Sequence, residues 1–349
     1  MEQKSVLIGM SGGVDSSVAA ALLKEQGYHV IGATMRLWTY SDSCNMKHEG
    51  CCAESAVEDA RRVCDKLGID FYVMNFKDMF KDKVVDYFVD EYIHGRTPNP
   101  CIACNKYLKF DALLKKALAM GIDYVATGHY AKIEKGEDGK YILRASEAVK
   151  KDQSYVLYNF TQEQLAHTLM PLGGYNKDWV RQKAEELGLG VAHKPDSQEI
   201  CFVEDDDYAK FITDYSGYEP KEGDILDVNG NVIGKHRGLI YYTIGQRKGI
   251  GAYGRPMFVM KIDAENNTIT LGEKGMEFSN ELTAYDVNFV SGEFPKENML
   301  ITAKVRYQAP PAAAMLCPQK DGTVKLMFPE PQRAVTPGQA VVFYDGDIV

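Results

Sequence analysis

Over roughly the first 200 residues, short apolar runs alternate with longer stretches of helical period, the pattern of a parallel sheet covered by helices. Residues 6–10 read as the first strand. Residues 16–24 follow with Val18 and Leu22, then Ala19 and Leu23, at four-residue spacing, and Gly27 is placed to end that helix. Residues 30–35 read as the next strand. Val57, Ala60, Cys64 and Leu67 recur at intervals of three, four and three, which predicts an amphipathic helix closed by Gly68. Residues 71–76 and 124–127 supply two further strands.

Past about residue 205 the helical period fades, and short alternating segments separated by turn residues take over. Residues 256–262 and 268–271 flank Glu265, Asn266 and Asn267 and predict a hairpin. Residues 301–307 and 324–328 read as strands, with Asp321-Gly322 as a turn. The expected architecture is an α/β N-terminal domain over residues 1–205, built on a doubly wound parallel sheet. A small β-rich middle domain over 206–278 and a C-terminal antiparallel β-barrel over 279–349 complete it. No internal repeat or low-complexity tract interrupts this order.

At 349 residues, with 45% hydrophobic and 26% charged positions, the chain suits two or three globular domains. No apolar run approaches the length of a membrane span, and Met1 leads almost directly into an apolar strand, so the expectation is a cytoplasmic protein with no membrane partner. The formal net charge of −9 does not advertise nucleic-acid binding, so any RNA surface must be a local patch. Eight cysteines without a secretory signal point to reduced thiols with metal or catalytic roles. Cys44, Cys51 and Cys52, with His48, lack the paired spacing of a structural zinc site.

The first strand runs into Ser11-Gly12-Gly13-Val14-Asp15-Ser16-Ser17 and then a helix, so backbone N–H groups converge on one point and make an anion site. Glycines allow phosphate to approach the backbone, serines add donors, and the Asp15 carboxylate suits Mg²⁺. The loop has neither the Gly-Lys-Ser/Thr of a Walker motif nor the glycine spacing of a dinucleotide fold. It resembles the S-G-G-x-D-S signature of the ATP pyrophosphatases, which cleave ATP between its α and β phosphates and adenylate a substrate.

Two further segments carry thiols. Asn99-Pro100-Cys101-Ile102-Ala103-Cys104-Asn105 places prolines before a helix expected to begin near Cys104, where a helix N-terminus stabilises a thiolate. Cys201 sits in Asp196-Ser197-Gln198-Glu199-Ile200-Cys201-Phe202. With the loop, Thr127-Gly128-His129-Tyr130, Lys151-Asp152-Gln153-Ser154-Tyr155, residues 241–249, Arg306-Tyr307 and residues 334–340, these segments resemble the tRNA 2-thiouridylases across nearly the whole chain. Those enzymes thiolate the wobble uridine.

The resemblance implies ATP contacts at Gly9, Met10, Ser11, Gly12, Gly13, Val14, Asp15, Ser16, Met35 and Gly128. It implies target-nucleotide contacts at Asn99, Pro100 and Cys101, and tRNA contacts at His129, Lys151, Asp152, Gln153, Arg306, Tyr307 and Gln339. Asp152 would repel phosphate and is a candidate for orienting a neighbour. Cys201 would carry a persulfide delivered by a sulfur-donor protein, and Cys104 would release the sulfur and close a disulfide with Cys201. Many relatives have an acidic residue where this chain has Cys101. Cys101, Cys104 and Cys201 also resemble the ligand set of related thiolases that hold a [4Fe–4S] cluster, so the persulfide and cluster roles compete for the same sulfurs. A rival enzyme reading, an ATP pyrophosphatase that activates a carbonyl for attack by an amine, has no need of the cysteine pair. A non-catalytic RNA-binding protein has no need of the intact loop.

Overall fold

The computed structural model describes residues 3–38, 54–196, 200–203 and 206–349. Cys44, His48, Cys51 and Cys52 lie outside the described residues, as do Ser197, Gln198 and Glu199. The N-terminal part opens with β1 (Ser5–Gly9), α1 (Val14–Glu25), β2 (His29–Arg36), α2 (Glu54–Leu67) and β3 (Asp70–Asn75). Helices α3 (Lys77–Phe80) and α4 (Tyr87–Ile93) flank a π-helical segment, Lys81–Asp86, and α5 (Pro100–Ala103) continues through π-helical Cys104–Ala112 into α6 (Leu113–Ala119). Then come β4 (Tyr124–Ala126), the hairpin β5 (Ala131–Lys135) and β6 (Tyr141–Ala145), α7 (Gln162–Ala166), β7 (Thr168–Leu169), α8 (Lys177–Glu186) and α9 (Tyr208–Ser216).

Strands pair in the order β3-β2-β1-β4-β7, and each of the four pairs is parallel. Alternation along β1 explains why both faces are covered. Val6 and Ile8 join a core layer with Val18, Leu22 and Ala60 of α1 and α2 and Val180 of α8. Leu7 points the other way, into a layer with Phe88, Leu108 and Leu113. The expected doubly wound sheet is therefore present, with strand bounds within about a residue or two of the sequence reading. The α2 stripe is rotated slightly from its predicted register: Ala56, Ala60, Val63 and Cys64 are its buried positions, while Val57 and Leu67 are half-buried.

Beyond α9, β8 (Gly223–Leu226), β9 (Val232–His236), β10 (Met257–Asp263) and β11 (Thr268–Glu273) form a four-stranded sheet in the order β10-β11-β8-β9. The predicted hairpin is β10–β11, with Asn267 at φ 50° in its turn. A second sheet, β12-β15-β14-β13-β16, comprises β12 (Phe278–Ala284), β13 (Met299–Lys304), β14 (Ala312–Pro318), β15 (Val324–Arg333) and β16 (Val342–Tyr344). Its pairs are antiparallel and enclose Ile301, Ala303, Leu316, Leu326 and Phe328. Arg306 and Tyr307, read from sequence as part of a strand, follow the end of β13 in a turn.

Several contacts tie the C-terminal sheet to the N-terminal part, among them Asn288 Nδ2 to Tyr158 O (2.7 Å), Ala145 N to Asp347 O (2.8 Å) and one loop near Thr97. Thr97 donates its N–H to Pro337 O (2.9 Å), and Gln339 Nε2 donates to Thr97 O (2.7 Å). Gly338, at φ 91°, passes so close that a Cβ there would lie 2.8 Å from Thr97 N. Tyr155 Oη donates to Ala340 O (2.7 Å) a short distance away.

Candidate active site

The loop begins where the chain leaves the C-terminal end of β1. Because β2 and β3 lie on one side of β1 and β4 on the other, this is the point where strand order reverses, and a crevice opens there in parallel α/β sheets. Gly9 pairs in register with Ala33 of β2, and Ile8 with Ala126 of β4, which brings Met35 and Gly128 to the same edge. Gly128 has no room for a side chain: a Cβ would lie 2.7 Å from Ser16 N and 2.8 Å from Asp15 C. Gly12 adopts φ 70°, and a Cβ there would collide with the Ala56 backbone.

Hydrogen bonds hold the loop open and spend one of its amides, that of Ser11. Ser17 Oγ donates to Gly13 O (2.7 Å), Ser16 Oγ accepts from Ser11 N (3.2 Å), and Thr34 Oγ1 donates to Met10 O (2.8 Å). Gly13 is the N-cap of α1 and offers no side-chain oxygen, so the first-turn amides stay available to an anion. Ser11 is exposed.

Asp15 is already engaged. Lys177 Nζ donates to Oδ1 and Oδ2 (2.8 Å each), and Tyr130 Oη donates to Oδ1 (2.7 Å). Burial and then the Asp15 charge push the Tyr130 phenol far above its ordinary pKa, so it remains a donor. Lys177 also pairs with Asp196 (2.6 Å), which takes Lys151 (2.7 Å) and Arg181 (3.3 Å) as well. Burial opposes the Asp196 charge, but hydrogen bonds from Lys151 and Lys177 outweigh it and hold the carboxyl below its usual range. Lys194 Nζ reaches Gly12 O (3.1 Å) and Asp59 (3.0 Å). The sequence reading missed Lys177, Tyr130 and Lys194 as members of this site. Tyr130 and Asp196 stood at the ends of quoted motifs, whereas Lys177 carries no local signal beyond its place after the N-cap Asn176.

The thiol segments differ from expectation in one respect. The helix begins at Pro100, not near Cys104: Asn99 Oδ1 accepts the Cys101 N–H (3.1 Å), and Pro100 takes the first helical position. Cys101 therefore sits exposed in the first turn, and Cys104 is buried a turn later with its amide bonded back to Pro100 O. Dipole stabilisation falls off within a turn, so it favours Cys101 over Cys104. Cys104 belongs to the same core layer as Phe110 and Phe202, and Cys201, half-buried, packs against that layer. Asn105 donates Nδ2 to Val156 O (3.1 Å), while its buried Oδ1 has no hydrogen-bond partner among the described residues.

No three His, Cys, Asp or Glu side chains come together as a metal-holding group among the described residues. Cys101, Cys104 and Cys201 are not gathered into such a group in this arrangement. For Mg²⁺, the loop provides a lone carboxylate whose two oxygens are taken by Lys177 and Tyr130. That leaves no metal cage built from protein side chains.

The residues expected to meet tRNA fall into two groups. In the first, Gln153 braces Tyr130 through reciprocal bonds, Gln153 Oε1 accepting from Tyr130 N (3.0 Å) and Gln153 N donating to Tyr130 O (2.9 Å). Asp152 accepts from Ser146 N, Ser154 N and Ser154 Oγ. His129 Nδ1 shares a 2.7 Å hydrogen bond with Thr127 Oγ1 and its ring lies 5.8 Å from Phe110. Burial, then the Lys109 charge, hold its imidazole neutral. Tyr307 stands edge-on to Tyr155 at 5.7 Å, and Lys304 Nζ lies over both rings. Burial, then Asp152, raise the Tyr307 phenol, on which Lys151 and Cys101 also act electrostatically. Arg306 is half-buried beside it.

The second group lines a cavity of about 1070 Å³ between α5 and the C-terminal sheet, with Asn99, Lys106, Tyr107, Tyr158, Tyr285 and Gln339 among its walls. The nucleotide loop does not line it. Gln339 spends its amide on Thr97 and so fastens the two parts of the chain together.

A parallel sheet with this loop at its reversal point, followed by two β-rich domains, defines a HUP-class nucleotide-loop protein with appended barrels. Residues 4–205 match the tRNA methyl transferase HUP domain, 209–273 the tRNA methyl transferase PRC-barrel domain, and 279–349 the aminomethyltransferase beta-barrel domain. Over its full length the chain is similar to the tRNA-specific 2-thiouridylase MnmA of Acetivibrio thermocellus, at 59% identity over 100% of this chain and 98% of that protein. The protein of the same name in Clostridioides difficile is 58% identical over 99% of this chain and 96% of its own. The chain belongs to the tRNA-specific 2-thiouridylase family.

Proposed function

We propose that this protein replaces the C2 oxygen of the wobble uridine of tRNA with sulfur, at the expense of ATP. The observation that carries the reading is the conjunction of an open phosphate loop with a buried thiol and a second thiol that share one core layer, in a chain 59% identical to a thiouridylase along its whole length. The uracil C2 oxygen is a poor leaving group. It attacks the α-phosphorus of ATP, the α–β bond breaks, and pyrophosphate departs with the bonding electrons. The terminal sulfur of a Cys201 persulfide then attacks C2, and the C2–O bond breaks to release AMP. Cys104 thiolate attacks Cys201 Sγ, forming a Cys104–Cys201 disulfide and leaving the transferred sulfur on C2 with the electron pair of the old S–S bond. A thiol reductant supplies two electrons and two protons to reopen the disulfide, and a sulfur-donor protein restores the persulfide.

Mg²⁺ enters this scheme bound to the ATP phosphates, because Asp15 is the loop's lone carboxylate and is paired. Backbone amides of residues 12–16 at the α1 N-terminus receive the phosphates, while Gly9, Met10, Met35 and Gly128 shape the pocket around the nucleotide. Lys151, Lys304 and Arg306 answer RNA phosphates, and Tyr307, with the tyrosines of the cavity beside Asn99, offers faces for unstacked bases of the anticodon loop. The protein is incubated with unmodified tRNA, MgATP and a persulfide donor, and the tRNA nucleosides are then analysed by mass. The expected product is 2-thiouridine with AMP and pyrophosphate formed in step; ADP and phosphate, or an aminated base, would contradict the reading.

A further inference from the structure

From Ser5 to Leu23 the chain contains neither lysine nor arginine, so the phosphate loop brings no cation of its own. It does bring a carboxylate, Asp15, into the first turn of α1, where a triphosphate must lie. An unscreened carboxylate there would repel the phosphates by several kcal/mol at short range. The structure places one ammonium group against it. Lys177 arrives from the start of α8, 162 positions along the chain, and its nitrogen is shared by both Asp15 oxygens and by Asp196. Its side chain is 11% exposed, against 38% for Lys151, 31% for Arg181 and 28% for Lys194. Of these four cations it alone is paired with a loop carboxylate.

We infer that Lys177 is a catalytic residue of the adenylation step, the cation that binds the β-phosphate of ATP and the pyrophosphate it becomes. The inference rests on the proposed function. Asp15 and Asp196 hold the ammonium ready at the loop. When the α–β bond breaks, the electron pair moves to the bridging oxygen of the departing pyrophosphate, and Lys177 faces the charge that develops there. A Walker loop obtains the same service from the lysine inside its own sequence; here tertiary contact supplies it.

The test compares the full-length protein with Lys177→Gln and Lys177→Arg, using MgATP, unmodified tRNA and a persulfide donor, with AMP release as the readout. Inhibition by inorganic pyrophosphate and by AMP is measured separately. Lys177→Gln is expected to slow AMP release at saturating ATP by about 100-fold or more, and to weaken pyrophosphate inhibition while leaving AMP inhibition and tRNA affinity within about twofold. Lys177→Arg, which keeps the charge and gives a second chance if the glutamine variant fails to fold, is expected to retain most of the pyrophosphate inhibition. Equal loss of pyrophosphate and AMP binding in a folded variant would mean that Lys177 only props the loop and would overturn the inference, as would unchanged AMP release. Failure of the unmodified protein to release AMP would instead defeat the functional reading on which the inference stands.

Discussion

The nucleotide end and the RNA-facing end of the molecule are built on opposite principles. At the loop the binding groups are backbone amides, fixed by Gly12 at a left-handed φ, by Gly128 pressed against Ser16, and by serine hydroxyls turned inward. The charges around it are mutually paired through Asp15, Lys177 and Asp196. At the other end the candidate groups are side chains on a turn after β13, half-exposed, with Lys304 resting on two tyrosine rings. On the proposed function, phosphates of ATP meet a fixed cradle, while tRNA meets an adaptable surface. The rigid end should therefore fail abruptly when altered, and the adaptable end by degrees.

Gly128→Ala breaks the comparison most severely. Its Cβ would enter the space of Ser16 N, where the backbone cannot yield without moving the helix start. AMP release is expected to fall by about 100-fold or more, since misplacement on the ångström scale costs that much. Affinity for tRNA, measured by filter binding, stays within about twofold. A variant that loses both equally would show the two ends to be one mechanical unit.

Arg306→Ala acts at the adaptable end. It is expected to weaken tRNA binding about tenfold and to reduce the slope of log affinity against log salt by roughly one, with ATP affinity unchanged. An unaltered affinity would return the turn after β13 to a purely structural role.

The smallest effect concerns pH. Burial and the nearby Lys109 keep His129 neutral in the folded protein, below its ordinary value of 6.5. Once unfolded, the imidazole takes up a proton below that value, so this contribution to stability is complete above about pH 6.5 and declines as the pH falls through it. Denaturant unfolding should show native protein losing stability between pH 7.5 and 5.5 more steeply than His129→Asn. Parallel curves would place the imidazole in an open, ordinary setting.

Much of the rigid end was legible from sequence because it is local: strand, glycines, serines and helix follow one another within residues 5–25, and alternation set the faces of β1. The two-residue strand β7 was not legible, since Thr168 and Leu169 form no run long enough to show a period. Nor was the start of the helix at Pro100, four residues before the Cys104 start that the prolines suggested, with Asn99 as its N-cap. The partners of Asp15 were hidden for a different reason: Lys177 and Tyr130 lie 162 and 115 positions away and meet it only when α8 and the end of β4 fold over the loop. Gln339 kept its place in a motif but gained a partner, Thr97, that only tertiary structure reveals.

The central claim is that ATP activates the C2 oxygen of the uridine, and isotope transfer tests it most directly. Transfer RNA carrying ¹⁸O at C2 of the wobble uridine is thiolated by the protein with MgATP and a persulfide donor, and the released AMP is analysed by mass. The account predicts one ¹⁸O in the phosphate of AMP for each 2-thiouridine formed. Label appearing in water or in pyrophosphate, with unlabelled AMP, would contradict it.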